Sequence, residues 1–377
     1  MLWIASAAAA CGVTFHDVPR RGTNEVHQFL YVSSRAPFTH ERVDSAPVLL
    51  WSAESGRGAV GAVALGEVVV AVATTDRWVH AFSTRTGRLY WRYRGEEAFS
   101  VGPVMGGGRI FVASDGVGGG KHEGQLTAID MFTGRRIWRA AVGEVLAPLT
   151  LARGLVYGAS RSGAVFAHEA ASGERRWISY GAPTRSGPLL HDSLVIIATD
   201  ADSLVVLNAA TGTSIVRAAI PATSLAPLAL VNDSTVALTS PAGRLLAIAI
   251  PSGAVRWNMD IGAPAYGAPV AIADTVFALT NDCVLWTVPV ASPANADTAT
   301  IGCRTVATPA ITERGVVVAT IGGELVYFDR GSRRRIWSRR VARGRGEGAR
   351  AELRQTPMIL NGQIVVAPLF GDVVSFR

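Results

Sequence analysis

The chain is 377 residues long, 49% hydrophobic and has a mean hydropathy of +0.27, which suits a globular protein with one large core or several small ones and excludes a disordered polymer. No run of about 18 or more uninterrupted apolar residues occurs, so no central membrane-spanning helix is expected. The formal net charge of +7 would ordinarily suggest an acidic partner, but every basic residue except Lys121 is Arg. That skew, with the heavy use of Ala, Gly and Val, reads as codon bias, and no nucleic-acid partner is expected.

Residues 1–10, MLWIASAAAA, form a short apolar stretch ending in small residues, and Cys11-Gly12 follows at once. No positively charged segment precedes it, in contrast to an ordinary secretory leader. The run Ala8-Ala9-Ala10-Cys11 resembles a bacterial lipobox, which implies a signal over residues 1–11 and acylation of Cys11. Residues 12–46 carry Pro19, Pro37, His16, His27 and His40 without any period and read as a tether.

From residue 47 to 377 a repeat takes over. Pro103, Pro148, Pro188, Pro227, Pro269, Pro309 and Pro357 lead successive copies, spaced about 41 residues apart, and eight such periods fill the chain. Each copy holds four short β-rich runs, which is the content of one propeller blade. The third run of each copy, such as LTAI from residue 126 and LVVL from 204, is apolar at nearly every position; a strand packed between two neighbouring blades reads this way. A Thr/Ser-Gly turn and a Trp close most copies: TGRLYW at 86–91, TGRRIW at 133–138, SGERRW at 172–177 and SGAVRW at 252–257. The loop geometry suits a hairpin with Gly in the left-handed region, and the Trp falls on the outermost strand. At 211–216 Val216 replaces the Trp, the sixth copy has neither turn nor Trp, and the seventh spaces Gly331 and Trp337 irregularly. Residues 373–377 supply only a third strand for the last copy, and residues 48–56 read as its missing fourth, with Trp51 in the docking role. Closure of this kind leaves no open edge, so a ring lacking residues 1–45 is expected to fold.

The repeat AxDxxTGxxxW, seen in full at 128–138, resembles the PQQ-like (quinoprotein-type) propeller repeats. The resemblance implies an all-β, eight-bladed propeller of four-stranded blades in which Trp51, Trp91, Trp138, Trp177, Trp257 and Trp337 clamp blade to blade. Quinoprotein dehydrogenases of this fold carry a vicinal disulfide, calcium ligands and an Asp base. The only cysteines are Cys11, Cys283 and Cys303, no two adjacent, and no Cys or His spacing matches a zinc site. No cofactor, metal or catalytic residue is assigned, and His80 and His168 read as satisfied blade histidines. In the sixth copy a hairpin centred near residue 293 sets Cys283 opposite Cys303, which an oxidising compartment would convert to a disulfide.

Two remaining features carry no chemistry. Residues 115–124, DGVGGGKHEG, miss the phosphate-loop pattern at two positions and read as an insertion, and the Arg-rich run at 330–354 reads as a solvated blade edge. Lipobox, eight blades and a missing quinone site together resemble the BamB family of outer-membrane assembly lipoproteins. That resemblance implies a non-catalytic periplasmic scaffold, monomeric within a complex and lipid-anchored, with the periplasmic domains of a barrel-inserting subunit as partner. A general extracytoplasmic binding propeller is the alternative, and a divergent quinone-dependent dehydrogenase stands behind it.

Overall fold

The computed structural model describes residues 38–43, 45–116, 124–181, 183–341 and 351–377. These build eight sheets, one for each copy of the repeat, and each sheet is an antiparallel meander from an inner to an outer strand. Blade 1 is typical, with strands Ala64–Leu65, Val69–Ala73, Trp78–Ser83 and Leu89–Arg94. The second and third strands are buried along nearly their whole length, whereas the outer strand alternates. Sandwiching between neighbouring blades imposes the first pattern, and one wet face imposes the second. Among the described residues the only helical turn is Pro293–Asn295, and no helix is long and apolar enough to cross a membrane.

The core is divided rather than central. Eight principal apolar clusters each draw side chains from two adjacent blades, so every seam in the ring has its own core. The ring closes as the sequence suggested: Leu49–Arg57 pairs antiparallel with Phe370–Phe376, completing the blade begun by Met358–Leu360 and Gln363–Val366. Trp51 lies opposite Ser375 there, as Trp91 lies opposite Ala81.

The segment read as a tether is docked in its described part. Phe38–Thr39 adds a fifth strand to blade 7, parallel to the inner strand Ala310–Thr312. Glu41 accepts the backbone N–H groups of Asn361 and Gly362 through its carboxylate, and Val43 is buried in the core between blades 7 and 8. The reason is topological. Blade 8 takes its outer strand from the other end of the chain, so it lacks the hairpin turn on which Trp337 would dock, and Glu41, Val43 and Pro47 fill that place.

Candidate functional surface: blade seams and channel mouth

The seam clamp is built from the turn upward. In blade 2, Asp130 Oδ1 accepts the N–H groups of Phe132 (3.0 Å) and Thr133 (2.7 Å) and the Thr133 hydroxyl (2.9 Å), which fixes the turn. Gly134 follows at φ +70°, and a Cβ there would lie 2.6 Å from the ring of Trp91 in blade 1. The glycine therefore meets two demands at once: a left-handed backbone and a flat seat for the neighbouring indole. Trp91 then donates its indole N–H to the Met131 carbonyl at 2.9 Å. The same bond links Trp51 to Thr84, Trp138 to Ala170, Trp177 to Ala209, Trp257 to Val290 and Trp337 to Val43, over 2.8 to 3.1 Å. All six tryptophans named from the sequence thus sit between blades, each bonded to a backbone carbonyl across its seam.

Two seams depart from the rule. Val216 in blade 4 leaves Gly253 facing Ala218, with no indole between them. In blade 6, Asp297 stands opposite Thr287 as Trp257 stands opposite Ala247, so a carboxylate occupies the Trp position. Across that seam the left-handed turn residue is Arg333, φ +54°, rather than a glycine, and its guanidinium pairs with Asp297. That pairing holds the Asp297 carboxyl below the usual carboxylate range and raises Arg333. With no ring to seat, the turn no longer needs glycine. The spacing of blade 7 is therefore regular: Arg333, and not Gly331, is the counterpart of Gly134. This exchange of Trp–Gly for Asp–Arg was missed in the sequence, although Asp297 lies forty residues beyond Trp257, one repeat along.

Cys283 and Cys303 are joined in a disulfide, Cα–Cα 5.3 Å. They are not opposed in the ladder. Val284 pairs with Thr300, so the hairpin is centred one residue earlier than expected, and Ile301 donates its N–H to the Cys283 carbonyl. Cys283 sits in the turn before its strand at φ +63°, and the bond ties that turn to the connection leading into blade 7. Cys11, residues 117–123 of the glycine-rich insertion and residues 342–350 of the Arg-rich run lie outside the described residues. The described strand of that run, Arg334–Arg340, is exposed except at Trp337, as a solvated blade edge should be, and several arginines of the run make specific contacts. Arg330 stacks on Phe277 at 4.8 Å, Arg339 donates to the Pro47 carbonyl, and Arg335 and Arg340 pair with Glu324.

At one end of the central channel the connections into the inner strands converge on a space of about 280 Å³, lined by residues such as Gly102, Pro148, Pro227, Tyr266 and Thr308. Arg185 and Arg354 are its charged lining, and each is already paired, with Asp200 at 3.1 Å and Glu352 at 3.0 Å. Among the described residues no carboxylate lines this mouth, and no three His, Cys, Asp or Glu side chains converge on a possible cation. The residues present do not fit a calcium-bound quinone. Of the histidines, His168 donates from Nδ1 to the Gly173 carbonyl at 2.9 Å, and burial lowers its pKa. Neither histidine is fully satisfied as expected: His80 Nδ1 and His168 Nε2 are both buried with no hydrogen-bond partner among the described residues.

The fold and its seams define an eight-bladed β-propeller of PQQ-like repeats. A family model described as outer membrane protein assembly factor BamB matches residues 43–119, 76–226 and 201–377, and the chain belongs to that family. Among characterised proteins it is 28% identical over 141 residues to the outer membrane protein assembly factor BamB of Burkholderia pseudomallei, covering 34% of this chain and 32% of that one. It is 30% identical over 188 residues to the serine/threonine-protein kinase AfsK of Streptomyces coelicolor, covering 48% of this chain and 22% of the kinase. The chain thus spans a third or less of these curated relatives. BamB from Moraxella catarrhalis superposes with a TM-score of 0.65 at 15% identity, covering 88% of this chain and 98% of that one. Quinohemoprotein alcohol dehydrogenase from Comamonas testosteroni gives 0.71 at 13% identity, covering 94% and 81%. At such identities the likeness is one of fold.

Proposed function

We propose that this propeller is a non-catalytic scaffold of the cell envelope that binds a protein partner during outer-membrane assembly. The observation that carries the reading is the match of the BamB family model across residues 43–377. A ring with eight separately packed seams offers rigid loops on two faces, which suits recognition without rearrangement. The disulfide supports an oxidising compartment such as the periplasm. Acylation of Cys11 would hold the chain at the membrane, since several acyl chains at about 0.8 kcal/mol per buried CH₂ bind far better than one. The partner in this reading is the set of periplasmic domains of a barrel-inserting subunit.

The test is affinity capture after crosslinking in the native host, from detergent-solubilised envelope. Enrichment of the barrel-inserting subunit over an unrelated envelope protein is expected. Capture that recovers no envelope subunit, or purified protein that carries stoichiometric quinone and calcium, would overturn the reading. The match to a protein kinase, a protein of another class, favours a second reading as a general binding propeller; recovery of a different, specific envelope partner would support it.

A further inference from the structure

The seam between blades 8 and 1 holds a groove. On the third strand of blade 1, Trp78, His80 and Phe82 alternate onto the face that meets blade 8, where Phe82 joins the cluster containing Trp51 and Met358. In blades 3, 5, 7 and 8 the counterpart of His80 is apolar, Phe166, Leu246, Val326 and Val374 holding the same ladder position, whereas blade 2 places Thr127 there. The facing strand of blade 8 contributes only Ser52, Ala53, Glu54 and Gly56. The small residues on the blade 8 side leave a groove of about 490 Å³, within the range of small-molecule sites.

The chemistry of this groove is mixed in a particular way. Its floor is a row of rings, with His80 stacked on Phe82 (5.9 Å, 8°) and 6.3 Å from Trp78. Arg92 lies over Trp78 at 4.8 Å and lines one side, while Glu54 and Asp76 line the other. His80 is 7% exposed, and its Nδ1 lacks a hydrogen-bond partner among the described residues, a state that buried polar atoms seldom keep. An anionic ligand would meet the two carboxylates and a cationic one the guanidinium. A neutral polyol meets neither objection, because each hydroxyl donates to a carboxylate and accepts from Arg or a ring N–H. The C–H face of a sugar ring is apolar and suits an aromatic floor.

We propose that the groove between blades 8 and 1 binds a neutral saccharide, with Trp78, His80 and Phe82 beneath the ring and Glu54 and Arg92 on its hydroxyls. The site is separate from the scaffold reading, and neither depends on the other. The test titrates the full-length protein with maltotriose, cellotriose and tri-N-acetylchitotriose by calorimetry, with tryptophan fluorescence in parallel. At least one should bind with Kd below about 1 mM, and Glu54→Gln and His80→Phe should each weaken it about tenfold or more. His80→Phe installs the side chain that blade 3 carries at this position, and circular dichroism reports whether it folds. Should it not fold, Glu54→Gln on the exposed strand decides alone. No binding by any of the three up to about 10 mM, affinity unchanged in the variants, or tighter binding of glucose 6-phosphate or glycylglycine would overturn the proposal.

Discussion

Replacing Gly134 by Ala isolates the clamp, because the same turn position holds a glycine in blade 2 and Arg333 in blade 7. At Gly134 the backbone has φ +70°, a conformation that costs a residue with a Cβ about 1–2 kcal/mol. The new methyl would lie 2.6 Å from the Trp91 ring, so the indole must move. Trp91 is 1% exposed, and displacing it forfeits the bond to the Met131 carbonyl, about 1 kcal/mol, along with some packing. The sum is a destabilisation of roughly 3 kcal/mol. Arg333 already has φ +54° and faces an exposed carboxylate instead of a ring, so Arg333→Ala should leave the unfolding midpoint within error of the parent. Chemical denaturation of the two variants beside the parent is the assay. Equal losses from both substitutions would refute the claim that the glycine is there to seat the indole.

Removing residues 1–45 takes away the acceptor of the Trp337 indole and the buried Val43, and should lower stability by about 1–3 kcal/mol relative to a chain cut after residue 37; scanning calorimetry of the two truncations checks this. Residue 45, the boundary expected from the sequence, therefore cuts into the docked segment. Reducing the Cys283–Cys303 bond, which spans a sequence separation of 20, should cost up to about 3 kcal/mol and expose two thiols to labelling under denaturation; labelling without reductant should find neither. Burial lowers the His80 pKa from 6.5 to about 4, opposed by Asp76 and reinforced by Arg92. Between those values the unfolded chain binds a proton that the folded one does not, so stability falls as pH drops from about 6.5 to 4, by up to about 3 kcal/mol. His80→Phe should flatten that portion of a stability-versus-pH curve, and an unchanged slope would show that another group is responsible.

Much of the fold was legible because a propeller repeats its physics. The leading prolines, the doubly buried third strands and the Thr-Gly-to-Trp spacing recur with one period, so the blade count and the closing strand Leu49–Arg57 follow from periodicity alone. What escaped lies where the repeat is broken. Asp297 and Arg333 are legible only as a pair across a seam, since each alone looks like an ordinary surface charge. Val43 acts through its carbonyl, which no side-chain pattern announces. His80 and His168 were expected to be satisfied because histidines in apolar strands usually are; the orphaned His80 Nδ1 and His168 Nε2 depend on what the packed strands around them offer, which one strand's sequence does not show. The Cys register missed by one residue because Pro293–Asn295 forms a helical turn instead of the regular hairpin loop.

The scaffold reading is tested most directly by deleting the gene in its native host and measuring folded outer-membrane β-barrel proteins by heat-modifiable gel mobility, with complementation by the intact chain. The account predicts a fall in folded barrels that the intact chain restores and that Gly134→Ala restores less well at elevated temperature. Unchanged barrel levels in the deletion strain would contradict it.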